Sequence, residues 1–196
     1  ILQQLDGLRQ RGKTALSVGA ASTYQRYYLN NLLCSFRSQY PHTELILVDG
    51  FSQDLYSKVL LGEVDIALIA EPVPAGVDFF PVFSEEVFLA VPKDHPLTEH
   101  FPKTGMPYPL ADLRLCRNEK FITCRQGRRM YDVAMSETRS AGFVPDILIE
   151  CSSTESVNAM VCHGMGLAFV PSTTVELCSA DQRPQYYRLR PDGLIR

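Results

Sequence analysis

The 196-residue sequence lacks a CxxC pair and any cysteine-histidine spacing suited to zinc, so no metal site is expected. No apolar run reaches the ~18 to 20 uncharged residues needed to cross a bilayer. The first residues also lack the charged-then-apolar order of a secretion signal. The expectation is therefore a soluble, cytoplasmic chain with no membrane partner. A long basic run is missing too: 19 Lys and Arg stand against 22 Asp and Glu, for a net charge of -3. Such a chain cannot by itself neutralise a row of phosphates. Catalytic signatures are equally scarce, with neither a GxSxG elbow nor a Walker loop. Glu85 and Glu86 are neighbours, but adjacent strand residues point to opposite faces and cannot share one reacting atom. No enzyme and no cofactor are expected.

What is present is a repeated alternation of strand and helix patterns. Residues 15–19 alternate as a short strand, and from Thr23 the apolar residues Tyr24, Tyr28, Leu32, Phe36 and Tyr40 recur every four positions until Pro41 forbids continuation. "TELILV" (residues 43–48) reads as a strand. It is followed by a helix that Ser52 can cap, Asp54 favours at its positive end and Gly62 closes. Residues 64–70 form a nearly unbroken apolar run, as a strand covered on both faces does. The grammar recurs after "VFLAV" (87–91) and a Pro-rich stretch (95–109). "FITC" leads to a helix over about 126–141 closed by Gly142, and "PDILIEC" is a strand. "SSTE" (152–155) is a capping box opening a helix that ends at Gly164, and "GLAFVP" is the last of these strands. Short joints between alternating elements predict an α/β fold: two Rossmann-like lobes with mostly parallel sheets and a ligand cleft between them, beyond the carboxyl ends of the strands.

Cys34, Cys116, Cys124, Cys151, Cys162 and Cys178 are scattered, and most of them read as reduced thiols filling core space. His42, His95, His100 and His163 lie far apart and read as surface or capped histidines. Residues 1–10 carry Ile1, Leu2, Leu5 and Leu8 at helical spacing and read as the tail of a helix that begins outside the chain.

"LSVGAAST", "FRSQYPHTELILVDG", "LLGEVDIALI", "EEVFLAVPKDHPL" and "SAGFVPDILIECSSTESVNAMVCHGMGLAFVP" occur in one order over almost the whole chain. With these the sequence resembles the effector-binding domain of LysR-type transcriptional regulators, whose fold is that of type 2 periplasmic binding proteins. The resemblance implies that residues 1–11 end a linker helix, that 12–83 and 187–196 form one lobe and 84–186 the other, and that two crossover strands join the lobes. It implies that the winged helix-turn-helix is absent from this chain, so that promoter DNA is a partner only through that missing part. It further implies a small-molecule effector and a homodimer or homotetramer. Tyr24, Tyr27 and Tyr28 offer aromatic surface for such self-association.

By the same resemblance, residues matching Ser22 and Thr23 contact the effector. The corner Ala20-Ala21-Ser22-Thr23 is small enough to admit an anion to unpaired backbone N–H groups, although a hydroxyl there also serves simply as a helix cap. Phe51 and Ser52 follow the second strand in the same lobe. Thr123, Cys124 and Arg125 follow a strand in the other lobe. A guanidinium at a cleft lip holds a carboxylate through two parallel hydrogen bonds, whereas Arg125 with Arg128 and Arg129 also reads as a solvated basic face. The effector expected is small and anionic, of carboxylate type. A solute-binding protein of a transporter is one alternative. A redox sensor of the same family is another, with Cys124 activated by nearby arginines and Cys116, eight positions earlier, as its resolving partner.

Overall fold

The computed structural model describes residues 15–70, 73, 75–101, 108–178 and 180–190. The helix expected over residues 1–10 lies outside the described residues. By its internal contacts the chain divides into two compact units, Ile1–Phe83 and Ser84–Arg196.

The first unit is built on a parallel sheet of order β2-β1-β3, with β1 at Ala15–Ala20, β2 at Glu44–Asp49 and β3 at Ile66–Leu68. Alternation along the central strand separates its two faces. Leu16, Val18 and Ala20 pack with Leu29, Leu33 and Phe36 in one buried cluster. Those partners come from a helical run made of α1 (Ser22–Tyr24), a π-helical turn (Gln25–Leu29) and α2 (Asn30–Gln39). On the other face lies fully buried Leu55 of α3 (Ser52–Leu60). A Cβ at Gly19 would stand 2.6 Å from Leu55 Cδ2, and one at Gly50 would stand 3.1 Å from it. The glycines let this helix seat against the strand ends. Gly62, at φ 72, ends the helix as expected.

Two expectations for this unit change. Ser52 is not the cap of α3: that position is Phe51, whose side chain makes no cap bond, and Ser52 is the first helical residue. The aromatic surface of the first helix is partly consumed internally as well. Tyr28 stacks on Phe83 at 3.8 Å between ring centroids, and Tyr24 meets Phe83 edge-on at 5.9 Å. Apolar exposure falls instead on β2, an edge strand whose Ile46 and Leu47 are 44% and 48% exposed.

In the second unit β4 (Val87–Val91) is buried at every position, and it pairs antiparallel with both β7 (Ala168–Pro171) and β8 (Gln185–Arg188). The expectation of mostly parallel sheets therefore holds for the first unit, while the second is mixed. Its parallel part is β5 (Lys120–Cys124) against β6 (Asp146–Cys151), and a parallel bridge Phe121↔Leu167 links β5 to the chain entering β7. Residues 187 and 188, expected in the first lobe, sit in this unit's sheet: Tyr187 faces Leu89 and Arg188 faces Phe88. A short helix, α4 (Leu97–His100), breaks the stretch read as irregular. Helix α5 (Arg129–Ser140) begins later than the expected residue 126 because Gly127, at φ 83, turns the chain first. Helix α6 (Thr154–Cys162) is capped by Ser153, the second residue of the expected box and not the first, with the Ser153 hydroxyl accepting from the Ser156 N–H at 3.2 Å.

Four of the six cysteines are the free thiols expected of most of them, and one pair is not. Cys162 and Cys178 form a disulfide, while Cys34, Cys116, Cys124 and Cys151 are free.

Candidate functional site

The carboxyl ends of the first unit's three strands come together by register, since Ala20 of β1 pairs with Asp49 of β2 and with Leu68 of β3. Two of the singled-out hydroxyls stitch that edge. Ser22 is the first residue of α1, where the cap position belongs to Ala21, and its Oγ donates to Asp49 Oδ1 at 2.9 Å. Ser52 Oγ accepts from the backbone N–H of Ala70 at 3.1 Å, just beyond β3. The two serines thus have opposite polarity: Ser22 has spent its proton and keeps lone pairs, while Ser52 has spent a lone pair and keeps its proton. Thr23 follows Ser22 in the helix, half-buried, and Phe51 is 41% exposed in extended backbone at φ -93, ψ 161.

Asp49 was not singled out by the sequence reading, and it changes the local electrostatics. A carboxylate beside Ser22 repels a second anion and invites a donor. The signal for it was available, because an acidic residue closing a strand beside a hydroxyl-bearing corner is a ready hydrogen-bond partner. Gln25 was also missed. Its Nε2 donates to the Ala20 carbonyl at 2.8 Å, across the joint where β1 passes into the π-helical turn.

In the second unit Thr123 and Cys124 end β5 and are buried, and Arg125 is the first exposed residue after them. The Arg125 backbone N–H donates to Cys151 O at 2.9 Å, and its carbonyl accepts from the Arg128 N–H at 3.2 Å. Arg125 therefore precedes α5 by a full turn of chain and stands at the strand end rather than on the helix. Burial pushes the Cys124 thiol up to about 11, against a smaller opposing pull from Arg128, and burial pushes Cys116 up to about 12. At neutral pH both are protonated thiols, contrary to the activated thiolate that a redox sensor at Cys124 requires. Glu85 and Glu86 are engaged separately: Glu85 accepts from Thr173 Oγ1 at 2.6 Å, and Glu86 holds Arg188 through both carboxylate oxygens. Among the described residues, no group of three or more His, Cys, Asp or Glu is placed to hold a metal. Among them, too, no helix is long and apolar enough to cross a membrane.

Residues 9–195 match the family described as LysR substrate binding domain. The transcriptional dual regulator GltC of Bacillus subtilis (strain 168) is 27% identical over 175 residues, 88% of this chain and 55% of that protein. The chain spans about half the length of the curated relatives it matches. Among solved structures, the C-terminal domain of a probable LysR family transcriptional regulator from Rhodococcus sp. RHA1 superimposes with a TM-score of 0.75 at 19% identity. That match covers 92% of this chain and 85% of the other. The regulatory domain of Synechocystis PCC6803 CcmR, solved in complex with 2-PG, gives 0.71 at 20% identity, covering 88% and 79%. At these identities the two structures speak for the fold.

Proposed function

The chain belongs to the LysR substrate-binding-domain family, and from that premise we propose that it senses a small oxyanion-bearing effector and, through the oligomer of a longer regulator, controls transcription. As an effector-binding domain of this kind it belongs with transcriptional regulators and not with enzymes. The residues proposed for the effector are Ser22, Thr23, Phe51 and Ser52 at the strand ends of the first unit, and Thr123, Cys124 and Arg125 at the end of β5 in the second.

The observation that carries this reading is the pair of serines at the carboxyl edge of β1, β2 and β3. Neither acts as a plain helix cap, and each retains hydrogen-bonding capacity of a defined sign. Arg125 offers a carboxylate charge and a two-pronged fork, and Ser52 offers a hydroxyl proton of the same donor sign. Asp49 and Ser22 suit a donor group on the same molecule. The ligand favoured is a small carboxylate that also carries a hydroxyl or amino group. Binding shifts a pre-existing equilibrium by the difference in affinity for two arrangements of the protein. Promoter DNA is proposed to be contacted only by a separate reader module.

The test is a thermal-shift screen of the purified chain against small hydroxy- and amino-carboxylates, with the matching amides as controls. A ligand at a hundred times its dissociation constant stabilises the folded state by about 2.7 kcal/mol. A carboxylate is expected to raise the melting temperature while its amide does not. Equal effects of acid and amide would remove the oxyanion from the proposal.

A further inference from the structure

We propose that Cys162 and Cys178 form a reversible dithiol–disulfide site, opened and closed by exchange with small thiols and disulfides, that ties the end of α6 to the segment following β7. The proposal is independent of the effector site. The bond joins the last residue of α6 to the residue after the 3-10 run Ser172–Leu177.

The surroundings of Cys178 are those of a sulfur that can leave as a thiolate. Its Sγ lies 3.3 Å from Asn158 Nδ2 and 4.0 Å from the Tyr186 hydroxyl. Asn158 is almost fully buried, one turn before Cys162 on the same helix, and it is locked in place. Its Nδ2 also donates to the Thr174 carbonyl at 2.9 Å, and its Oδ1 accepts from Tyr186 at 3.0 Å. An N–H donor held against sulfur favours the charged form over the neutral one. The free thiols of the core are of the opposite kind, because burial raises Cys116, Cys124 and Cys151 above the ordinary thiol value. Cys162 and Cys178 themselves are only half-buried, within reach of a small thiol.

The exchange balances as follows. A small thiolate attacks Cys162 Sγ, and the electron pair of the protein S–S bond departs on Cys178. A second small thiolate attacks the sulfur of the small molecule in the mixed disulfide, releasing Cys162 and forming a small-molecule disulfide. The protein gains two electrons and takes two protons from water, and two small thiols are oxidised. In the reverse direction the Cys162 thiolate attacks a small-molecule disulfide and releases one small thiolate, and the Cys178 thiolate then attacks Cys162 Sγ and releases the second. Opening releases the tie, while the Asn158–Thr174 hydrogen bond keeps the 3-10 run docked.

The experiment equilibrates the purified chain in glutathione buffers graded from reducing to oxidising, quenches with acid, alkylates free thiols in denaturant and reads each cysteine peptide by mass spectrometry. Cys162 and Cys178 are expected to convert together in one two-electron transition inside the glutathione range, with no net change at the four other cysteines beyond mixed disulfide at exposed Cys34. Asn158→Ala is expected to make the bond harder to reduce by about tenfold in the equilibrium constant, the effect of one hydrogen bond to a charged group. Tyr186→Phe shifts it the same way by less, and carries the test if Asn158→Ala does not fold. A bond that stays closed throughout the range, one that never forms in the most oxidising buffer, or a transition unmoved by the folded variants would overturn the proposal.

Discussion

Ser22 and Ser52 look alike in the sequence, each a hydroxyl at a strand-to-helix corner, and both invite the same reading as helix caps. The structure gives them different work. Ser22 is exposed and donates to exposed Asp49, so Ser22→Ala is expected to change folding stability by no more than about 0.5 kcal/mol. Ser52 satisfies a partly buried backbone N–H at Ala70, so Ser52→Ala leaves that donor unpaired and costs about 1 to 3 kcal/mol. Urea unfolding of the two variants separates the roles, and equal losses would restore the capping reading. The core thiols give a second prediction at this scale. Folded Cys124 and Cys116 are raised to about 11 and about 12 from an ordinary 9.0. The unfolded chain therefore releases these protons first as pH rises. Their contribution to stability is complete below pH 9 and is lost progressively as pH climbs from about 9 through 11 and 12. Alkylation of the native protein at pH 8 should accordingly label exposed Cys34 and leave Cys116 and Cys124 unmodified, and rapid native labelling of Cys124 would contradict the burial argument.

At the level of elements, most of the strands and helices were legible because their signals are local. The four-residue spacing from Tyr24 to Tyr40, the apolar run of β4 and the glycines that follow the helices act within a few residues. What escaped depends on contacts distant in sequence. Nothing near Ser52 announces that its partner is Ala70, eighteen residues on. Nothing near Tyr28 announces that its ring is covered by Phe83. The close seat of α3 is likewise a long-range fact: Leu55 is fully buried against Gly19 and Gly50, and Leu55→Ala is expected to cost about 2 to 5 kcal/mol by chemical denaturation. The edge strand β2 carries the proposal of self-association in place of the tyrosines. Among the described residues β2 pairs with β1 alone, and an apolar edge of that kind is a template for pairing. Sedimentation at micromolar concentration should show the parent as a dimer or larger and Leu47→Lys as a monomer. A parent that sediments only as a monomer would remove the strand as an interface.

For the molecule as a whole, the α/β class followed from the alternation of elements, and the strand ends that hold the candidate residues followed with it. The pairing of β8 with β4 did not, because antiparallel partners nearly a hundred residues apart leave no periodic trace. The disulfide was invisible for a similar reason, since Cys162 and Cys178 have no motif spacing and meet only through the packing of α6 against the chain after β7. Half of the candidate site was legible as residue types at corners, whereas its polarity, set by Asp49 and Ala70, was not. The central claim is that a small carboxylate is this domain's effector and that Arg125 holds its oxyanion, and calorimetric titration of the hit from the thermal-shift screen tests it most directly. One molecule should bind per chain. Ser22→Ala should weaken binding about tenfold or less, and Arg125→Ala about ten- to a hundredfold, with Arg125→Lys recovering part of the loss. An Arg125→Ala protein that binds as tightly as the parent would contradict the account, because the oxyanion would then have lost the only charged partner assigned to it.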